Sequence, residues 1–131
     1  MKIAILTPRY IPQISGNSTT VNRLVIGLKN KRILTKVINL SKIKEKTKIL
    51  QIVKKINPDI IHEIHAYKTG IIGLQIAKKL RKPLLITVSG TDANHDLLDK
   101  EKKGKIVNVL SNAKKLIVFH KSIEKILTKN L

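Results

Sequence analysis

Five short apolar runs, separated by stretches with helical periodicity, constrain this chain more than any other feature. Ile3 to Thr7, Val37 to Leu40, Asp59 to Ile64, Leu84 to Val88 and Leu116 to Phe119 are rich in Ile, Leu and Val, and each reads as a strand. After the first run, Ser18 or Thr19 can cap a helix in which Val21, Leu24, Val25 and Leu28 fall at i, i+3, i+4 and i+7. Lys42 to Asn57 carries Ile43, Ile49, Leu50, Ile52, Val53 and Ile56 on one face and lysines on the other, until Asn57-Pro58 ends it. Thr69 to Leu80, Asp99 to Asn112 and Ser122 to Lys129 supply three further helices. Gly104 weakens the second of these three by about 1 kcal/mol relative to Ala. Strand and helix alternate through short connections, which predicts βαβ units with right-handed crossovers. The expected class is therefore α/β: one Rossmann-like domain over residues 1–131, with a parallel sheet of about five strands and helices on both faces.

Composition narrows the chemistry. Aromatics make up 2% of the residues, so the core must be built from Ile, Leu and Val. A net charge of +19 favours anionic partners such as phosphorylated ligands, acidic phospholipid surfaces or nucleic acid. No basic block stands apart, and the plainest reading is that Lys serves as the general surface residue. Single-stranded nucleic acid is usually bound by stacking aromatics in a basic groove; with only Tyr10, Tyr67 and Phe119 available, it is not the expected partner. The absence of Cys excludes disulfides and thiolate metal sites and fits a reducing cytosol. Met1 to Thr7 is too short, and too soon broken by Pro8, for a signal peptide, and no apolar run approaches the ~20 residues of a membrane helix. The expected setting is the cytoplasm, with peripheral attraction to membrane surfaces.

In a parallel sheet the carboxyl ends of the strands share one edge, where ligands bind in open α/β folds. The loop Pro8 to Asn17 follows the first strand, His62 to Tyr67 the third, Ser89 to Asp96 the fourth and His120 the fifth. All four histidines (His62, His65, His95 and His120), Tyr10 and Tyr67, Phe119, Glu63, Asp92 and Asp96 fall at these places. This convergence says more than any single motif.

Gly16-Asn17-Ser18-Thr19 opening a helix offers free N–H groups and a positive dipole end suited to phosphate, although an ordinary capped helix start has the same sequence. It is neither G-x-G-x-x-G nor a Walker A loop. His62-Glu63-Ile64-His65 has histidines three apart at the end of a strand, whereas H-E-x-x-H needs four on a helix, so no metal site is expected. Gly90-Thr91-Asp92 supplies a tight turn, a hydroxyl and a carboxylate. Asp92 suits a general base or an acceptor from sugar hydroxyls, and equally an Asx turn or a helix cap. Ser15 and Ser89 lack the G-x-S-x-G context of an activated nucleophile.

Taken together, MKIAILTPRYIPQISGNSTTVNRLVIGL, then PDIIHEIHAYKTGIIGLQIAKKLRKPLLITVSGTDAN, then AKKLIVFHKSIEKIL resemble the N-terminal half of GT-B glycosyltransferases, those of the large retaining family 4. The resemblance covers nearly the whole chain. It implies hexosyl transfer from a nucleotide-sugar donor substrate without a further cofactor. Ser15, Gly16 and Asn17 would form the donor-phosphate loop; Tyr10, His62, His65, Tyr67, Ser89, Gly90, Thr91 and His120 would line the acceptor side; Asp92 and His95 would be the catalytic candidates. Two departures stand out. The family's usual Gly-Gly is Ser15-Gly16, and the His common before Gly-x-Asp is Ser89, with His95 the expected substitute. In the resembled enzymes a second Rossmann-like domain holds the donor, and it is not among residues 1–131. A half-enzyme is expected to be nearly inactive alone, because transfer needs groups on both sides of the reacting bond. The chain is accordingly expected to be a fragment or one subunit of a split enzyme, its partners a second chain with the donor-binding domain and a sugar or lipid-phosphate acceptor. The alternative is a stand-alone Rossmann-like ligand-binding module without catalysis.

Overall fold

Burial decides where the strands lie in the computed structural model, which describes residues Met1–Leu131. In β1 (Lys2–Thr7) every residue from Ile3 onward is buried, as befits a central strand. It pairs in parallel with β2 (Leu34–Asn39) on one side and β3 (Ile60–Ile64) on the other; β4 (Leu84–Thr87) and β5 (Lys115–Ile117) complete a parallel sheet of order β2-β1-β3-β4-β5. β2 starts three residues before the apolar run Val37 to Leu40 because an edge strand needs only alternate burial, which admits Thr35 and Lys36.

The helices are α1 (Gly16–Asn30), α2 (Lys46–Ile56), α3 (Gly70–Leu80), α4 (Gly90–Asn94), α5 (Lys100–Ser111) and α6 (Lys121–Asn130). Ser15, rather than Ser18 or Thr19, caps α1: its Oγ accepts the Ser18 N–H at 3.1 Å. Helix α1 therefore starts earlier than its apolar periodicity implies. Asp99 caps α5 by accepting from the Glu101 and Lys102 N–H groups, and α5 runs unbroken through Gly104. Helix α4 and a 3-10 turn at Asp96–Leu98 replace the polar loop expected after β4. Gly90 has no positive φ and simply begins α4, so the expected tight glycine turn is not formed.

The two faces of the sheet are covered unequally. Apolar residues of α2, α3, α5 and α6 join the main core around Leu6, Ile61, Ile86 and Leu97. On the opposite face Val21, Leu24, Val25 and Leu28 of α1 pack with Ile3, Ile5 and Ile64, and no other helix contributes.

Candidate ligand-binding edge

Chain order reverses between β1 and β3: one connection leads outward to β2, the other to β4 and β5. Such a switch point opens a crevice at the carboxyl ends of the strands. Two loops border it, Pro8 to Ser15 after β1 and His65 to Thr69 after β3.

On the β1 side stands the N-terminus of α1. Gly16 is exposed, and a Cβ at its position would meet nothing within 4 Å. No acidic residue occupies the first turn. Ser15 and Asn17 are half-buried beside it, and Tyr10 packs against the α1 core. The unpaired N–H groups of the first turn and the helix dipole create a positive end of fifteen residues' helix, open to solvent.

On the β3 side a buried hydrogen-bond clasp holds the loop in shape. His65 has φ 81°, a left-handed conformation that costs a β-substituted residue about 1–3 kcal/mol. Its Nδ1 accepts the N–H groups of Tyr67 (3.3 Å) and Lys68 (3.2 Å), which offsets that cost and leaves the ring proton on Nε2. Nε2 lies 3.7 Å from Asp96 Oδ2, and the other Asp96 oxygen accepts from Lys102 Nζ at 3.0 Å. Burial lowers the His65 pKa, an effect opposed by Asp92 and Asp96. The Asp96 hydrogen bond raises the pKa of Lys102, whose ammonium also sits 5.0 Å from the centre of the Tyr67 ring.

Asp92 joins the β3 loop to the turn that follows β4. Its Oδ2 accepts the Ala66 N–H and its Oδ1 the Ser89 hydroxyl, both at 2.7 Å. At 1% exposure the carboxylate, engaged through both oxygens, is a fastening between the β3 loop and α4. Asp92→Ala strands the buried Ala66 N–H. It is expected to cost about 2 kcal/mol in urea unfolding and to raise the hydrogen-exchange rate of that amide.

The remaining sequence candidates divide by burial. His62 lies within β3, and its Nε2 is 2.8 Å from Thr87 Oγ1 of β4 in a site shut off from solvent. Desolvation lowers its pKa to about 4. Glu63 points the other way, into α3, rather than to the ligand edge; both carboxyl oxygens are buried without a partner, and burial raises the pKa. His62 and His65 engage separate partners, and neither lines an open cleft as the sequence suggested. Gly90, Thr91, His95 and His120 are exposed, while Tyr67 and Ser89 are half-buried. The α1 and α4 starts stand on β1 and β4, two strand spacings or about 10 Å apart. Lys102 shows no sequence signal of its contact with Asp96 because the two lie on separate elements, the 3-10 turn and α5, across the Asp99 cap. No helix is long and apolar enough to cross a membrane.

An anion-compatible helix start and a polar, hydroxyl-rich turn thus share one edge of a Rossmann-like sheet. A structure with a similar fold is the UDP-GlcNAc 2-epimerase from Methanocaldococcus jannaschii, with a TM-score of 0.71 at 13% identity. The similarity covers 98% of this chain and 42% of that protein's chain, so the domain spans less than half its length. No curated protein sequence matches the chain. The profile of the glycosyl transferase 4-like family matches residues 2–121. This is a glycosyltransferase-type domain, and the chain belongs to the glycosyl transferase 4-like family.

Proposed function

We propose that this domain forms the acceptor side of a nucleotide-sugar-dependent glycosyltransferase, and that it also contacts one side of the donor diphosphate. The observation that carries this reading is the open N-terminus of α1 beside the switch point, with exposed Gly16 and no first-turn acid. Ser15 keeps the helix start rigid through its cap, so the N–H groups of the first turn face an incoming phosphate preorganised. Across the edge, Thr91, His95 and His120 are exposed polar side chains free to meet an acceptor. His95 is the residue placed to take a proton there, since its ring is accessible where that of His62 is not. Asp92 is assigned a positioning role through Ser89 and Ala66. The donor-side domain lies outside residues 1–131, and the lysine-rich surface attracts a lipid-phosphate acceptor or the anionic membrane that carries it.

Amide chemical shifts of the labelled domain, titrated with UDP, GDP, a hexose phosphate and an oligonucleotide, test the reading. Saturable shifts are expected around Ser15 to Asn17 and Gly90 to His95 with the nucleoside diphosphates. Gly16→Asp, which sets a carboxylate against the phosphate, is expected to weaken them about tenfold, or 1.4 kcal/mol. Salt-sensitive shifts scattered over the lysine-rich helices, strongest with the oligonucleotide, would instead indicate a nucleic-acid surface and overturn it. If binding is confirmed but a copurifying partner adds no transfer, the domain is a ligand-binding module.

A further inference from the structure

We propose that His65 is a proton-operated clasp: its neutral ring fixes Tyr67 and Lys68 at the border of the crevice, and protonation of the ring releases them. The backbone N–H groups of these two residues have one acceptor, His65 Nδ1, at 3.3 Å and 3.2 Å. The rest of the loop is tied independently. The Ala66 N–H donates to Asp92 Oδ2, and Thr69 Oγ1 lies 2.8 Å and 2.9 Å from the Ile64 and His65 carbonyl oxygens. A change at Nδ1 is therefore confined to Tyr67 and Lys68.

Protonation at Nδ1 turns an acceptor into a donor facing two donors, so the clasp and the charged ring exclude each other. The charged ring has another partner at hand. Its Nε2 makes no hydrogen bond, and Asp96 Oδ2 stands 3.7 Å away, too far for one but within reach of a tilted ring. Charging the ring strengthens that attraction as the Nδ1 bonds fail. The charges facing the ring come from each element around it. Asp92 of α4 and Asp96 of the 3-10 turn favour the charged form, while Lys68 of the loop and Lys102 of α5 oppose it. Burial is the largest effect and favours the neutral ring, so the clasp is closed at neutral pH and opens on acidification, below the ordinary 6.5. The φ of 81° at His65 fits this role, since such a conformation persists only while its surroundings hold it. All these contacts lie inside the domain, and the inference stands whether or not the transferase reading does.

The test is a titration of the labelled full chain from about pH 8 to about pH 4.5, followed at the His65 ring nitrogens and the backbone amides. At the alkaline end Nδ1 is expected to carry no proton. On acidification the ring and the Tyr67 and Lys68 amides are expected to titrate together, with one midpoint below 6.5. Hydrogen exchange of those two amides, taken relative to that of Ala66, is then expected to rise at least about tenfold. His65→Asn supplies an acceptor oxygen, suits positive φ and cannot titrate, so it is expected to keep the protection and lose the step. His65→Gly relieves the backbone but offers no acceptor, and is expected to leave both amides unprotected throughout. His62→Gln is expected to keep the step unchanged. A proton on Nδ1 at the alkaline end, a ring that stays neutral to the end of the titration, a ring step without a change in both amides, the same step in His65→Asn, protection surviving in His65→Gly, or loss of the step in His62→Gln would each overturn the proposal. Amide changes spread over β1 at the same midpoint would overturn it too, because the ring would then titrate only as the domain unfolds.

Discussion

Gly73→Ala is expected to destabilise this domain more than any other change of similar size, by about 3 kcal/mol or more. Glu63 leaves β3 and inserts its carboxyl group into the surface of α3, so that a Cβ at Gly73 would overlap Oε1 and Cδ. Gly70, one turn earlier, is nearly as confined: a Cβ there would stand 2.7 Å from Val109 Cγ1 of α5 and 3.4 Å from Glu63 Oε2. The two glycines let α3 approach β3 with a buried carboxyl between them. Helix propensity alone argues the opposite, since Gly→Ala in an open helix gains about 1 kcal/mol. Gly104→Ala, with nothing within 4 Å of the added carbon, should show that gain. Urea unfolding midpoints of both variants separate steric overlap from propensity. If the cause is overlap with Glu63, Gly73→Ala made in a Glu63→Ala background will cost at least about 1 kcal/mol less than it does alone. Strict additivity would sink that explanation.

The second large effect is on pH dependence, where adjacent residues act in opposite directions. The folded-state pKa of His62 is depressed to about 4 from 6.5 because the ring is buried against Thr87. Its stabilising contribution is therefore complete above pH 6.5 and is lost as pH falls through that value toward 4. A shift of this size corresponds to about 3 kcal/mol. Glu63 is shifted the other way, well above 4.5, because both oxygens are buried and unpartnered. Its contribution is complete below pH 4.5 and is lost as pH rises through the raised folded value. The two slopes oppose each other between pH 4.5 and 6.5, so the parent domain should show a shallow pH profile there. Glu63→Gln keeps the shape but cannot ionise. It is expected to be more stable than the parent at pH 7 and to converge with it near pH 4. His62→Gln is expected to flatten the acid limb between pH 6.5 and 4. Urea titrations from pH 4 to 8 measure both; slopes unchanged from the parent would remove His62 and Glu63 as their source.

Much of the architecture was legible because apolar spacing reports it directly. Val21, Leu24, Val25 and Leu28 marked α1, and Ile49, Leu50, Ile52 and Val53 marked α2, within a few residues of their observed ends. Boundaries shifted where polar chemistry takes over from burial. Ser15 draws the start of α1 forward by capping it, and β2 extends back to Leu34 as an edge strand. Helix α4 went unread because five residues are too few to show a helical period.

The polar residues gathered by the sequence at the ligand edge proved to be of two kinds. Gly16, Thr91, His95 and His120 are open to solvent, whereas His62, Glu63, His65, Asp92 and Asp96 are buried. No local pattern distinguishes them, because burial depends on which helix lies over each loop. Asp92 is closed off by the β3 loop that it fastens, and Asp96 by the Lys102 and His65 groups that reach it from elsewhere in the chain. By itself, then, the sequence determined a parallel α/β sheet and the edge on which its polar residues collect, since strand and helix periods are local properties. Only the tertiary structure decided that Glu63 meets Gly73 and that Asp92 is a fastening. Those outcomes depend on the side of the sheet each helix takes, and crossovers between distant segments set it.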